Sequence, residues 1–351
     1  MKILIRATNW VGDAIMALPA LRAARGRFPD ANISILARPY VADIYRGQKI
    51  CDELISCDPQ GPHAGLSGRE RLAQELRKQK FDVALLLQNA FDAAWIAWRA
   101  GIPKRIGYAR DGRSLLLTKK IPVPRRGEIP VHEQFYYLEL LRRAGWINSL
   151  PGESFVTLDV CEDHSRQAEE MLSSAGARPN VLRIAIGAGA SYGSAKCWPP
   201  ERFADFVNRF RLHTDTDVIL FGTASEQRVS EAIAAGITGP SISFVGKTAI
   251  AALPALLSRC HLFVGNDSGA MHLASALTIP TVGIFGSTNP DRTGPSGACA
   301  DVVYHRLKCS PCLQRTCRFG HYNCLREIAP AEVARKLAAL GAFGPVVKRS
   351  V

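Results

Sequence analysis

The chain is expected to be an α/β protein built from two doubly wound parallel-sheet domains. Three observations carry that expectation. Short apolar runs of strand length recur along the whole chain, turn-forming Gly, Asn, Asp and Ser follow several of them, and helical stretches lie between. At 351 residues the chain also exceeds what one core usually fills.

Lys2 to Ala7 reads as the first strand, because its Ile and Leu content is followed by a turn around Asn9 to Gly12 and then a helical stretch from Asp13 to Arg22. Asn32 to Ala37 and Val83 to Leu87 read as further strands, with a charged helix from Gly68 to Lys80 between them. Alternation of this kind implies a parallel sheet covered on both faces. Val156 to Val160 reads as an edge strand and Asp163 to Ala175 as a surface helix. The turn Gly176–Asn180 places the junction there, giving domains 1–175 and 176–351. A second α/β series runs through Leu182 to Ile186, Val218 to Phe221, Ile242 to Val245, Leu262 to Val264 and Thr281 to Phe285, and Pro330 to Leu340 is a terminal amphipathic helix. Two such domains are expected to face a cleft at the carboxyl ends of their strands, where doubly wound sheets bind ligands.

Hydrophobic residues make up 47% of the chain and charged residues 21%, the balance of a globular protein without a long disordered tract. The net charge is +13 and uneven: residues 1–150 hold 24 Lys and Arg against 14 Asp and Glu, residues 151–351 hold 20 against 17. The first half is therefore expected to meet something anionic. Lys104, Arg105, Arg110, Arg113, Lys119, Lys120, Arg125 and Arg126 crowd a segment whose only acid is Asp111. Nucleic acid, an anionic membrane face or a phosphorylated substrate would each suit it, as would a plain solvated surface. Against nucleic acid, the segment offers few aromatics beyond Tyr108 and no recognised binding signature. The most apolar stretch, Val83 to Ile102, is interrupted by Gln88, Asn89, Asp92 and Arg99, so no membrane span is expected. Arg6 and Asp13 interrupt any signal-peptide core, and ten cysteines without an export signal point to reduced thiols in the cytoplasm.

Phe263 to Pro290 carries the strongest chemical signal, reading as strand, polar turn, helix, strand and second polar turn. Asn266, Asp267 and Ser268 are helix-capping types, Gly269 permits close backbone approach, and His272 falls in the first turn. Helix N–H groups and dipole favour an anion there, although a plain capped helix has the same pattern. Lys196 is positioned to neutralise phosphate and Glu226, beyond a strand, to accept from ribose hydroxyls, or both are surface charges. Gly246-Lys247-Thr248 is not a P-loop, since position 241 is Ser, and Arg6 to Gly12 lacks the dinucleotide fingerprint. Asp13 sits at a helix start after the first strand, where it serves as a first-turn aspartate or as a general base. Cys309, Cys312, Cys317 and Cys324, with His321 among them, have the number for a closed zinc site but not two regular C-x2-C pairs, so a thiol-rich loop stays open as the other reading.

Val11-Gly12-Asp13 with Leu18-Pro19, Lys196-Cys197-Trp198-Pro199, and Gly265 to His272, taken in order with the cysteine segment Cys309 to Leu325, resemble the ADP-heptose:lipopolysaccharide heptosyltransferases, closest to the type II enzymes. The resemblance implies the GT-B architecture, two Rossmann-like domains with acceptor mostly on the first and nucleotide sugar on the second. It implies Asp13 as catalytic base. Lys196, Glu226, Asp267, Ser268, Gly269 and His272 fall at the ADP-heptose donor, with the Glu226 match looser than the rest. The basic segment, Arg105, Arg110 and Arg113 foremost, then faces the Kdo-lipid A-heptose acceptor at the inner face of the cytoplasmic membrane. The implied reaction is an inverting displacement that needs no metal or other cofactor. A heptosyltransferase acting at the first or third heptose is the rival within the family.

Overall fold

The computed structural model describes residues 1–160 and 162–341. The chain divides into two compact units, the first from Met1 to Ser154 and the second from Phe155 onward. Each contains a six-stranded sheet.

In the first unit the strands are β1 Lys2–Arg6, β2 Asn32–Ala37, β3 Glu53–Ser56, β4 Val83–Leu86, β5 Lys104–Tyr108 and β6 Lys119–Ile121, in spatial order β3-β2-β1-β4-β5-β6. In the second they are β7 Leu182–Gly187, β8 Thr216–Leu220, β9 Ser241–Ser243, β10 Leu262–Asn266, β11 Thr281–Phe285 and β12 Ala300–Tyr304, in order β12-β11-β10-β7-β8-β9. Both are parallel throughout, and both follow the 3-2-1-4-5-6 order of the dinucleotide fold. That order reverses between β1 and β4 in one unit and between β7 and β10 in the other. Ligand crevices of such sheets open at these two places, beyond the strands' carboxyl ends.

The central strands are nearly uniform apolar runs because helices cover both faces. Ile3, Leu4 and Ile5 of β1 and Val218, Ile219 and Leu220 of β8 are all at most 2% exposed. Each such side chain contributes about 1.5–3 kcal/mol on burial. The stretch expected as one helix from Asp13 is two, Val11–Met16 and Leu18–Arg27, parted at Ala17; Pro19 opens the second, where its missing N–H costs nothing. The terminal helix Pro330–Ala339 inserts Val333 and Leu337 into the second core.

Two expectations are corrected. Val156 to Val160 joins neither sheet: the Val156 and Leu158 N–H groups donate to the Ser296 and Ala276 carbonyls. For the same reason the division falls at 154/155 and not at 175/176. The helix Glu162–Ser174 packs on the helix Leu253–Ser258, and its Glu169 pairs with Arg183 of β7 at 2.7 Å, so residues 155–175 travel with the second unit.

Candidate active site

The reversal point of the second unit is built from the ends of β7 and β10. Gly187 and Gly265 stand side by side in register there, and a Cβ on Gly265 would lie 2.6 Å from the Gly187 carbonyl oxygen, so no other residue fits. Asn266, fully buried, accepts from the Trp198 N–H at 2.9 Å and donates to the Ala188 carbonyl. This one side chain ties the turn after β10 to the loop that carries Lys196.

Asp267 follows, 4% exposed, with its carboxylate 2.5 Å from the Lys196 ammonium and 2.6 Å from the Thr288 hydroxyl that donates to it. Its charge is thus taken up in positioning Lys196. Ser268 is extended and caps nothing with its side chain; among the described residues its buried hydroxyl makes no hydrogen bond, and neither does that of Ser287. Buried polar atoms are nearly always paired in proteins, so two orphan hydroxyls on the residues next to Asp267, which holds Lys196, and Thr288, which donates to Asp267, mark a place for a polar ligand. The helix Gly269–Ala276 begins at that spot, its first N–H groups and positive dipole end favouring an anion, and buried His272 lies in its first turn. The structure therefore brings Lys196, Asp267, Ser268, Gly269 and His272 together. Thr288 and Ser287 were missed; their signal was the polar turn Gly286 to Pro290.

The loop bearing Lys196 is braced by the cysteine segment. The Ala195 N–H donates to the Arg315 carbonyl at 3.0 Å, the Tyr192 hydroxyl to the Leu313 carbonyl at 2.6 Å, and the Ser310 hydroxyl to the Gly286 carbonyl at 2.5 Å. Burial pushes the Cys324 thiol up to about 11, and nearby Cys312, Cys309 and Cys317 add to the shift. Among the described residues, no group of three or more Cys, His, Asp or Glu side chains is arranged to hold a metal ion.

Glu226 closes a capping box with Thr223, accepting its N–H at 2.6 Å. Its carboxylate lies against bare backbone: a Cβ on Gly189 would fall 1.8 Å from it. It borders a small recess lined by Ala188, Gly189, Phe221, Val229 and Val245, one strand over from the anion cradle.

In the first unit, Asp13 lies in the first turn of the short helix after β1, partly exposed. It is close enough to raise the pKa of two buried phenols, Tyr45 and Tyr137, in each case adding to a larger effect of burial. Arg6 ends β1, and Gln88 lies two residues beyond the end of the adjacent strand β4, its N–H donating to the Arg6 carbonyl. Among the described residues, Arg6 Nε, Gln88 Oε1 and Asp92 Oδ1 are buried without hydrogen-bond partners, a second set of orphans at a reversal point. Burial lowers the Arg6 pKa, with Cys57 and Asp92 acting in the opposite sense.

The three arginines of the basic segment are placed very differently. Arg113 is fully buried and donates to the Tyr108 carbonyl at 3.0 Å, the Gln88 carbonyl and Asn89 Oδ1 at 2.8 Å; burial brings its pKa down to about 10. Arg105 spends its guanidinium on the Leu116 and Ile102 carbonyls. Both brace the fold. Arg110 remains 44% exposed beside Asp111, its guanidinium 3.4 Å from the Tyr136 hydroxyl.

Paired sheets in dinucleotide-fold order, one with a lysine, buried polar groups and a helix start at its reversal point, suit an α/β enzyme that handles a nucleotide. The model of glycosyltransferase family 9 (heptosyltransferase) matches residues 69–323, and the chain belongs to that family. Lipopolysaccharide heptosyltransferase 2 of Escherichia coli K12 is 28% identical, over 97% of this chain and 98% of its own. The solved E. coli ADP-heptose lipopolysaccharide heptosyltransferase II superimposes with TM-score 0.82 at 27% identity, covering 97% of this chain and 98% of that one. A family 9 glycosyltransferase of Veillonella parvula gives 0.84 at 25%, with 97% and 96% covered. The protein is a glycosyltransferase of GT-B architecture. Family membership does not favour the nucleic-acid reading, and no helix among the described residues is long and apolar enough to cross a membrane.

Proposed function

We propose that this enzyme moves L-glycero-D-manno-heptose from ADP-heptose to the first heptose of the lipopolysaccharide inner core, with inversion, at the inner face of the cytoplasmic membrane. The observation that carries the donor half is the cradle: a half-buried ammonium held by the buried Asp267 carboxylate, two orphan hydroxyls and a helix start in one place. These groups suit a diphosphate. As the bond from the anomeric carbon to the phosphate oxygen breaks, negative charge grows on ADP, and Lys196 with the oriented N–H groups stabilises it. Glu226 takes the ribose hydroxyls.

On the first unit, Asp13 accepts the proton of the acceptor hydroxyl while that oxygen attacks the anomeric carbon. The polar orphans of Arg6, Gln88 and Asp92 suit a hydroxyl-rich sugar, since they offer one donor and two acceptors. Arg110, Lys120, Arg125 and Arg126, all partly or fully exposed, supply positive charge for acceptor phosphates and carboxylates and for an anionic membrane face. Arg105 and Arg113 support that surface from within.

The test is to incubate the protein with ADP-heptose and a panel of truncated core acceptors and to weigh the products. One heptose added only to acceptors that already bear a single heptose is the expected result. Addition to acceptors bearing none, or only to those bearing two, would move the enzyme to another step of the core, and transfer to none would remove the assignment.

A further inference from the structure

We propose that Arg315, in the cysteine segment, is a second phosphate-binding cation of the donor site. The inference rests on the reading above that a nucleoside diphosphate occupies the cradle. Its observations are independent of that reading. The Lys196 ammonium lies 5.0 Å from the centre of the Tyr192 ring and the Arg315 guanidinium carbon 5.4 Å from the same centre, so one aromatic ring carries both cations. The ring is fixed by its hydroxyl on the Leu313 carbonyl. Arg315 is fixed by its own backbone, whose carbonyl accepts from the Ala195 N–H, the residue before Lys196. At Gly193 a Cβ would come 2.3 Å from that same Arg315 carbonyl oxygen, so the two segments meet backbone to backbone.

Charge decides what the arrangement is for. Lys196 is already matched by Asp267, and the helix start supplies only about half an elementary charge. A diphosphate brings more negative charge than that. The Arg315 side chain is exposed and has no carboxylate partner among the described residues, which leaves a full positive charge beside the cradle. Its planar fork grips two phosphate oxygens at once, which an ammonium does not.

The experiment titrates ADP and adenosine into the full-length protein and its R315Q, R315K and K196M variants by calorimetry. R315Q keeps the backbone bond to Ala195, so its melting point is expected to stay near that of the wild type. It should weaken ADP about tenfold, a loss of one charge-assisted contact, and leave adenosine unchanged, while R315K recovers part of the loss. ADP affinity in R315Q within about twofold of the wild type, with K196M impaired, would overturn the role of Arg315 alone. ADP binding by K196M equal to the wild type, or no ADP binding by the wild type, would overturn the donor site and this inference with it.

Discussion

Asp13→Ala is expected to bind ADP-heptose normally and to lose about 10²- to 10⁴-fold in turnover, the usual worth of a positioned general base. The side chain lies in the first unit, at the start of the short helix after β1, while the cradle groups all belong to the second. Donor binding and proton removal are therefore separable. Donor affinity is read by calorimetry and turnover from released ADP; near-normal turnover would take Asp13 out of the mechanism. Asp13→Asn distinguishes a lost base from a lost shape, because it keeps the volume and should be nearly as inactive as the alanine variant.

Lys196→Met is expected to have the largest combined effect, on stability and on binding. It leaves the Asp267 carboxylate, 4% exposed, with the Thr288 hydroxyl as its remaining side-chain partner. Breaking one side of a buried ion pair costs about 3–5 kcal/mol. It also removes the cradle's fixed cation, so ADP affinity should fall by more than tenfold. Replacing both partners, Lys196→Met with Asp267→Asn, should return most of the stability, since no buried charge is left unpaired, yet restore no ADP binding. A double variant that regained binding would show that the ammonium serves only to neutralise Asp267.

Central strands and the helix start after β10 were legible in the sequence because both rest on local pattern. β1, β2, β4, β7, β8, β10 and β11 are apolar runs, and Asn266 to His272 carries its helix-start signal in seven consecutive residues. The missed strands lie at the outside of the sheets. β3, β6 and β12 are edges, and β5 adjoins one, so their sequences ELIS, KKI, ADVVY and KRIGY mix polar with apolar residues and show no continuous run. Within KRIGY and the turn after it, the cations read as a docking patch are partly structural. Arg105 and Arg113 turn inward to carbonyls that no local pattern announces, and only the folded chain separates them from exposed Arg110. The same holds for Arg315, whose backbone carbonyl meets the Ala195 N–H from a segment distant in sequence.

The most direct measurement of the central claim is the structure of the protein crystallised or soaked with ADP. The diphosphate is expected at the turn Asn266–Gly269, within hydrogen-bond reach of the Lys196 ammonium and the Ser268 hydroxyl, with the ribose toward Glu226. A diphosphate lodged anywhere else on the chain would contradict the account.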